Sequence, residues 1–114
     1  MRPSLSKAPW AWTIKRLEQT GAAANVTIWD PAAGKRVFIH KIIVSSPSTT
    51  IVLKITEGND AAGTRIVNHT FTANGGMILE FPFEAPLALA TDSILKLTTD
   101  AGNVNVYVYG NEEQ

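Results

Sequence analysis

Residues 103–110 read NVNVYVYG. In an extended chain Val104, Val106 and Val108 fall on one side, and Asn105, Tyr107 and Tyr109 on the other. A period of two, with β-branched residues on one side, is the pattern of a strand that buries one face. The tyrosine side is then an outer surface or a contact between subunits.

The same period runs back through the chain. TIVLKIT (50–56) sets Ile51, Leu53 and Ile55 against Val52, Lys54 and Thr56. RIVNHTFT (65–72) sets Val67, His69 and Phe71 on one face. MILEFPF (77–83) alternates Met77, Leu79, Phe81 and Phe83 with Ile78, Glu80 and Pro82, directly after the turn ANGG (73–76). KRVFIHKIIVSS (35–46) is long and β-branched, and NVTIWD (25–30) and ILKLTT (94–99) are shorter strands. Between them stand PAAG, SPST, EGNDAAGT and DAGN, whose Gly, Pro, Asn and Asp residues supply turn conformations. Gly-Gly permits positive φ, and Pro82 and Pro86 suit a strand end or an edge, since each removes a ladder donor. Seven or eight short strands so spaced predict an all-β, antiparallel β-sandwich or barrel over residues 25–114.

The first 24 residues read differently. MRPSLSKAP is polar and punctuated by proline, and GAAA (21–24) breaks the pattern. Between them Trp10, Trp12 and Ile14 alternate as in a strand, while TIKRLEQT (13–20) also has fair helix formers. Residues 1–24 are therefore expected to be an extended N-terminal arm or a first strand.

Composition closes several routes. The 114 residues suit one domain able to bury its own core. Ten basic and ten acidic residues leave no net charge and no basic stripe for nucleic acid. Cysteine is absent, which removes disulfides and thiolate metal sites. No apolar run approaches the roughly 18 residues of a membrane span, and the start lacks the apolar core of a secretory signal. Synthesis in the cytoplasm is the expectation, and with no signal the sequons at Asn25 and Asn68 are read as chance.

Chemistry is sparse. His40 and His69 sit singly in strands, without the His-x-His and following Glu of a cupin metal site, though Glu57 and Glu80 could approach them. Serines occur at turns and strand ends, outside any Gly-x-Ser-x-Gly elbow. No phosphate cradle, Ca²⁺ loop or fixed carboxylate pair is present. The expectation is a protein that is not an enzyme, with no catalytic residue, metal or cofactor. The aromatic residues are the candidates for contact. Trp10, Trp12 and Trp29 fill one end of the core, anchor an interface or stack on a sugar, and Tyr107 and Tyr109 share the outward face of the last strand.

Taken together, DPAAGKRVFIHKIIVSS (30–46), TTIVLKIT (49–56), TANGGMILEFPFEAPLAL (72–89) and DSILKLTTDAGNVNVYVYG (92–110) resemble the small jelly-roll structural proteins of tailed-phage virions. The resemblance covers about two thirds of the chain and rests on turns and strands, so it transfers no functional residue. It implies a capsid decoration, or cement, protein on the outer surface of a virion. The implied partners are the major capsid protein or another virion protein, with the chain a homotrimer. The first 24 residues have no counterpart in the resemblance; their polar, proline-bearing lead into the alternating pair Trp10 and Trp12 makes that pair the expected anchors of the arm. A tail or baseplate component is the neighbouring expectation. From a different class comes a carbohydrate-binding sandwich that stacks sugars on Trp29, Tyr107 or Tyr109. A cupin-like metal site at His40 and His69 is the third.

Overall fold

The computed structural model of the chain describes residues 12–46, 50–58, 64–82, 84–101 and 103–113. Its strands are β1 (Thr13–Gln19), β2 (Ala23–Trp29), β3 (Arg36–Ser46), β4 (Ile51–Glu57), β5 (Thr64–Phe71), β6 (Gly75–Glu80), β7 (Leu87–Ala88), β8 (Leu95–Thr99) and β9 (Val104–Glu113). No helix occurs among the described residues. Residues 13–19, open to either structure in the sequence, form a strand.

Every pairing is antiparallel, and the strands make two sheets. The first has the order β1-β9-β3-β6, with β7 also against β3, and the second has the order β2-β8-β4-β5. The partners β1·β9, β2·β8, β3·β6 and β4·β5 nest one inside the next. This is one long hairpin, rolled so that β9 also meets β3 and β8 also meets β4. Such a roll of eight main strands is the jelly roll, so the expected all-β antiparallel sandwich is the observed one; residues 1–11 of the expected arm lie outside the described residues.

Alternation sets the core. Val104, Val106 and Val108 of β9 and Ile42 and Val44 of β3 point inward from the first sheet, and all are buried. Ile51, Leu53 and Ile55 of β4 and Leu95 and Leu97 of β8 meet them from the second, each fully buried. Burying one such side chain is worth about 1.5–3 kcal/mol, so these facing rows hold the sheets together.

Three boundaries differ from the sequence pattern. β2 starts at Ala23, inside GAAA, because Gly21 at φ 83° turns the chain early. A register shift between Ala23 and Val26 then absorbs Asn25 at φ 57°. β6 stops at Glu80, short of Pro82, with Phe81 packed half-buried against the core. Phe83 lies outside the described residues. β9 continues past Gly110 to Glu113, pairing with Arg36–Phe38. Gly110 permits this crossing, since a Cβ there would run into the Phe38 carbonyl oxygen.

Candidate interaction surface

With the valines of β9 inward, Asn105, Tyr107 and Tyr109 point away from the core. Register carries the same side across the sheet. Arg16 of β1 lies opposite Tyr107, Tyr107 opposite Ile43 of β3, and Ile43 opposite Ile78 of β6. The adjoining row is Ile14, Tyr109, Lys41 and Glu80, and the next is Glu18, Asn105, Ser45 and Gly76.

An apolar band therefore crosses the outward face. Ile14 is 49% exposed and Ile78 is 63% exposed, at opposite edges of the sheet. Tyr107, Tyr109 and Ile43 are half-buried between them. Charges of both signs border the band: Arg16 and Lys41, Glu18 and Glu80. The Lys41 ammonium lies 5.5 Å from the centroid of the Tyr109 ring, within cation–π range, and braces that ring. Ile14, Arg16, Tyr107 and Tyr109 line a shallow depression of about 310 Å³. Large exposed aliphatic side chains beside aromatic rings are what a binding face offers and a solvated sheet face avoids.

Trp12 occupies the other end of the same face. Its ring stacks on His40 at 4.4 Å between centroids and 13° between planes. His40 is buried and sits at a register shift between Ile39 and Lys41. Its Nε2 lies 3.0 Å from Asn111 Oδ1, an acceptor, and Asn111 Nδ2 donates to Glu113 Oε2 at 3.2 Å. Trp12 thus roofs a buried polar network. Trp10 lies outside the described residues.

Trp29 is 1% exposed and belongs to the core. Its ring has no free face in the chain, so of Trp29, Tyr107 and Tyr109 the two tyrosines are the ones that reach the surface. Its Nε1–H donates to Glu112 Oε2 at 2.8 Å, and the Ala32 N–H donates to Glu112 Oε1 at 2.9 Å. Glu112 thereby clamps the end of β2 and the following turn to β9. Burial by itself would raise the pKa of this carboxyl. The Trp29 and Ala32 donors and the charges of Lys15 and Lys35 outweigh it and hold the pKa below the ordinary 4.5. Nothing in GNEEQ (110–114) singles Glu112 out, because its partners are about 80 residues away in sequence.

The two histidines lie in different sheets. His69 is exposed near the open side of the sandwich, with Phe71 edge-on at 4.8 Å. A groove of about 350 Å³ runs there between β5 and β6, lined by Ile66, Phe71, Met77 and Leu79 among others. Glu57 accepts from the Ala90 N–H, and Glu80 stands opposite Lys41 on the outward face. Among the described residues no three metal-ligating side chains gather.

No protein-family model matches the chain, and no curated protein matches it. Solved structures with a similar course include Drosophila NLP-core, a subject of work on pentamer formation and histone binding. It has 17% identity and a TM-score of 0.49, over 89% of this chain and 98% of that one. The virus-like particle of extra small virus from the giant freshwater prawn Macrobrachium rosenbergii gives 13% identity and 0.49, over 91% and 78%. The T13 particle of infectious bursal disease virus gives 15% identity and 0.43, over 96% of this chain and 31% of the viral one.

Proposed function

We propose that the chain is a structural, non-enzymatic protein of a tailed-phage virion. It decorates the outer surface of the capsid and docks on the major capsid protein or another virion protein. The observation that carries this reading is the outward face of the five-stranded sheet, where Ile14, Tyr107, Tyr109 and Ile78 are presented on a rigid jelly roll. A band of that kind gains about 25 cal/mol for each Å² it removes from water. A threefold assembly goes with the reading. Gradient-purified particles from the source cells test it. The chain is expected in them in stoichiometric amount, and an antibody against the recombinant protein is expected to bind intact particles. Absence from the particles, or binding only after disruption, overturns the reading.

A second reading has its own observation. Tyr107 and Tyr109 are two residues apart on one face, beside Arg16, over a shallow depression. Rings so placed can stack on successive sugars while a guanidinium takes a hydroxyl or carboxylate. Glycan-array binding that disappears in Tyr107→Ala would favour this over decoration.

A further inference from the structure

The four sheet edges are not alike. β2 carries two register shifts, and β5 carries a bulge where Ile55 and Thr56 pair Val67 and Arg65. β1 carries Lys15, Arg16 and Glu18. Bulges and charges of this kind stop an edge from recruiting another strand. β6, GGMILE, has neither device along its length. It pairs with β3 in six consecutive registers, and its one charge is the last residue, Glu80. Among the described residues no strand pairs along its other side.

Which backbone groups β6 offers follows from one bond. The Phe81 N–H donates to the His40 carbonyl of β3. Antiparallel strands alternate the direction of successive residues. Leu79 and Met77 therefore turn their N–H and C=O toward β3, the Gly75 N–H closes the preceding turn on the Thr72 carbonyl, and Glu80, Ile78 and Gly76 turn theirs outward.

We propose that β6 is a pairing edge and that its occupant is β6 of a second copy, in antiparallel register about a twofold axis at Ile78. The register is set by arithmetic. Same-face pairing requires partners of equal parity, and centring on Ile78 pairs it with the second copy's Ile78. Gly76 then meets the second copy's Glu80, and Met77 meets the second copy's Leu79. Every outward-turned residue of β6 meets an outward-turned residue, so Gly76, Ile78 and Glu80 of both copies all find backbone partners. Side chains agree with the backbone. Two exposed isoleucines cover each other on the outer face, and Met77 and Leu79 extend the apolar groove on the inner one. Each glutamate faces a glycine of the other copy, keeps Lys41 on its own β3, and stands clear of the other glutamate. Centring one pair earlier would set Met77 on its own mate and leave both Glu80 residues unpaired. The two five-stranded sheets become one continuous sheet, which is the mode of strand addition. This pairing stands independently of the decoration reading.

Light scattering behind a sizing column, on the full chain across a concentration series, tests it. The wild-type mass is expected at twice the 12.3 kDa of the chain, or six times if a threefold assembly also forms. Ile78→Pro removes the central donor at an edge position and is expected to halve that mass. Ile78→Lys opposes two like charges across the axis and is expected to do the same, with far-ultraviolet dichroism confirming that each variant is folded. Ile14→Lys, on the same face at the far edge, is expected to keep the wild-type mass while losing particle binding. A wild-type mass of one, three or five chains overturns the pairing, as does an undiminished mass in both folded Ile78 variants. A mass that Ile14→Lys halves also overturns it, since face-to-face association would then be responsible. Dimer against hexamer reports separately on the threefold assembly.

Discussion

The outward face of the five-stranded sheet has two ends built on opposite principles. At one, Trp12 stacks on His40, which with Asn111 is buried and linked through it to Glu113. At the other, Ile14 and Ile78 stand in solvent while charged side chains occupy the margins. β9 and β3 run through both ends, Trp12 leads into β1, Ile78 lies on β6, and Gly110 lies between the ends. Burial of hydrogen-bonded polar groups fixes one arrangement of the chain, because each unmade bond there is costly. Exposed apolar surface costs the isolated fold and is repaid only when something covers it. The closed end therefore concerns the chain's own geometry, and the open end concerns what the chain meets.

The largest way to break this division is at the boundary. Gly110→Ala forces a methyl toward the Phe38 carbonyl oxygen, a backbone atom that cannot swing away. A loss of about 3 kcal/mol is expected, at the upper end of overpacking effects, and denaturant unfolding measures it. β3 and β9 would separate near Phe38 and unseat both ends, so Gly110→Ala is also expected to weaken particle binding.

Next comes the closed end by itself. His40→Leu keeps an apolar body under Trp12 and removes the bond to the buried Asn111. Losing a hydrogen bond at a buried acceptor costs about 1–3 kcal/mol. A fall in thermal midpoint with particle binding retained would confirm that this end is architectural. A variant of unchanged stability that no longer binds would reverse the assignment and make His40 part of the contact.

The closed end was hardly legible in the sequence, and the open end largely was. Strict alternation in NVNVYVYG placed Tyr107 and Tyr109 outward from local pattern, because a period of two is a property of one strand. Ile78 could be put opposite Met77 and Leu79 for the same reason. That Ile14, Tyr109, Lys41 and Glu80 form one row could not be read, since register joins strands distant in sequence. Neither could the His40–Asn111 pair, 71 residues apart, nor the Trp29–Glu112 pair, 83 apart. Trp29 shows the limit most clearly. Core and surface were equally compatible with NVTIWD, and the carboxylate that satisfies its indole lies in a tail that looks solvated.

That carboxylate gives a sharper test of the closed region. The Glu112 pKa is lower in the folded chain than the ordinary 4.5. The ionised form is thus favoured by folding, and its contribution is complete above about pH 4.5 and is lost as pH falls through the folded pKa. Glu112→Gln is expected to melt below wild type at pH 7, by the equivalent of about 1 kcal/mol for the weakened bonds to Trp29 and Ala32. The gap is expected to narrow as the pH drops below 4.5, since the wild-type carboxyl then protonates and becomes a similar neutral group. A gap that stays constant with pH would mean that packing around Trp29, and not the charge, holds β2 to β9.

The smallest expected effect on stability falls at the open end and carries the most functional weight. Tyr107→Ala removes a half-exposed ring from a sheet face on which no other described strand packs, so the change should stay within about 0.5 kcal/mol. If the apolar band is what the protein docks with, particle binding should fall sharply in Tyr107→Ala while the melting curve barely moves. Phenylalanine at the same position separates the two surface readings. A protein contact driven by burial tolerates Tyr107→Phe, because the ring area is kept. A sugar platform that also uses the phenolic hydroxyl loses affinity with that one oxygen.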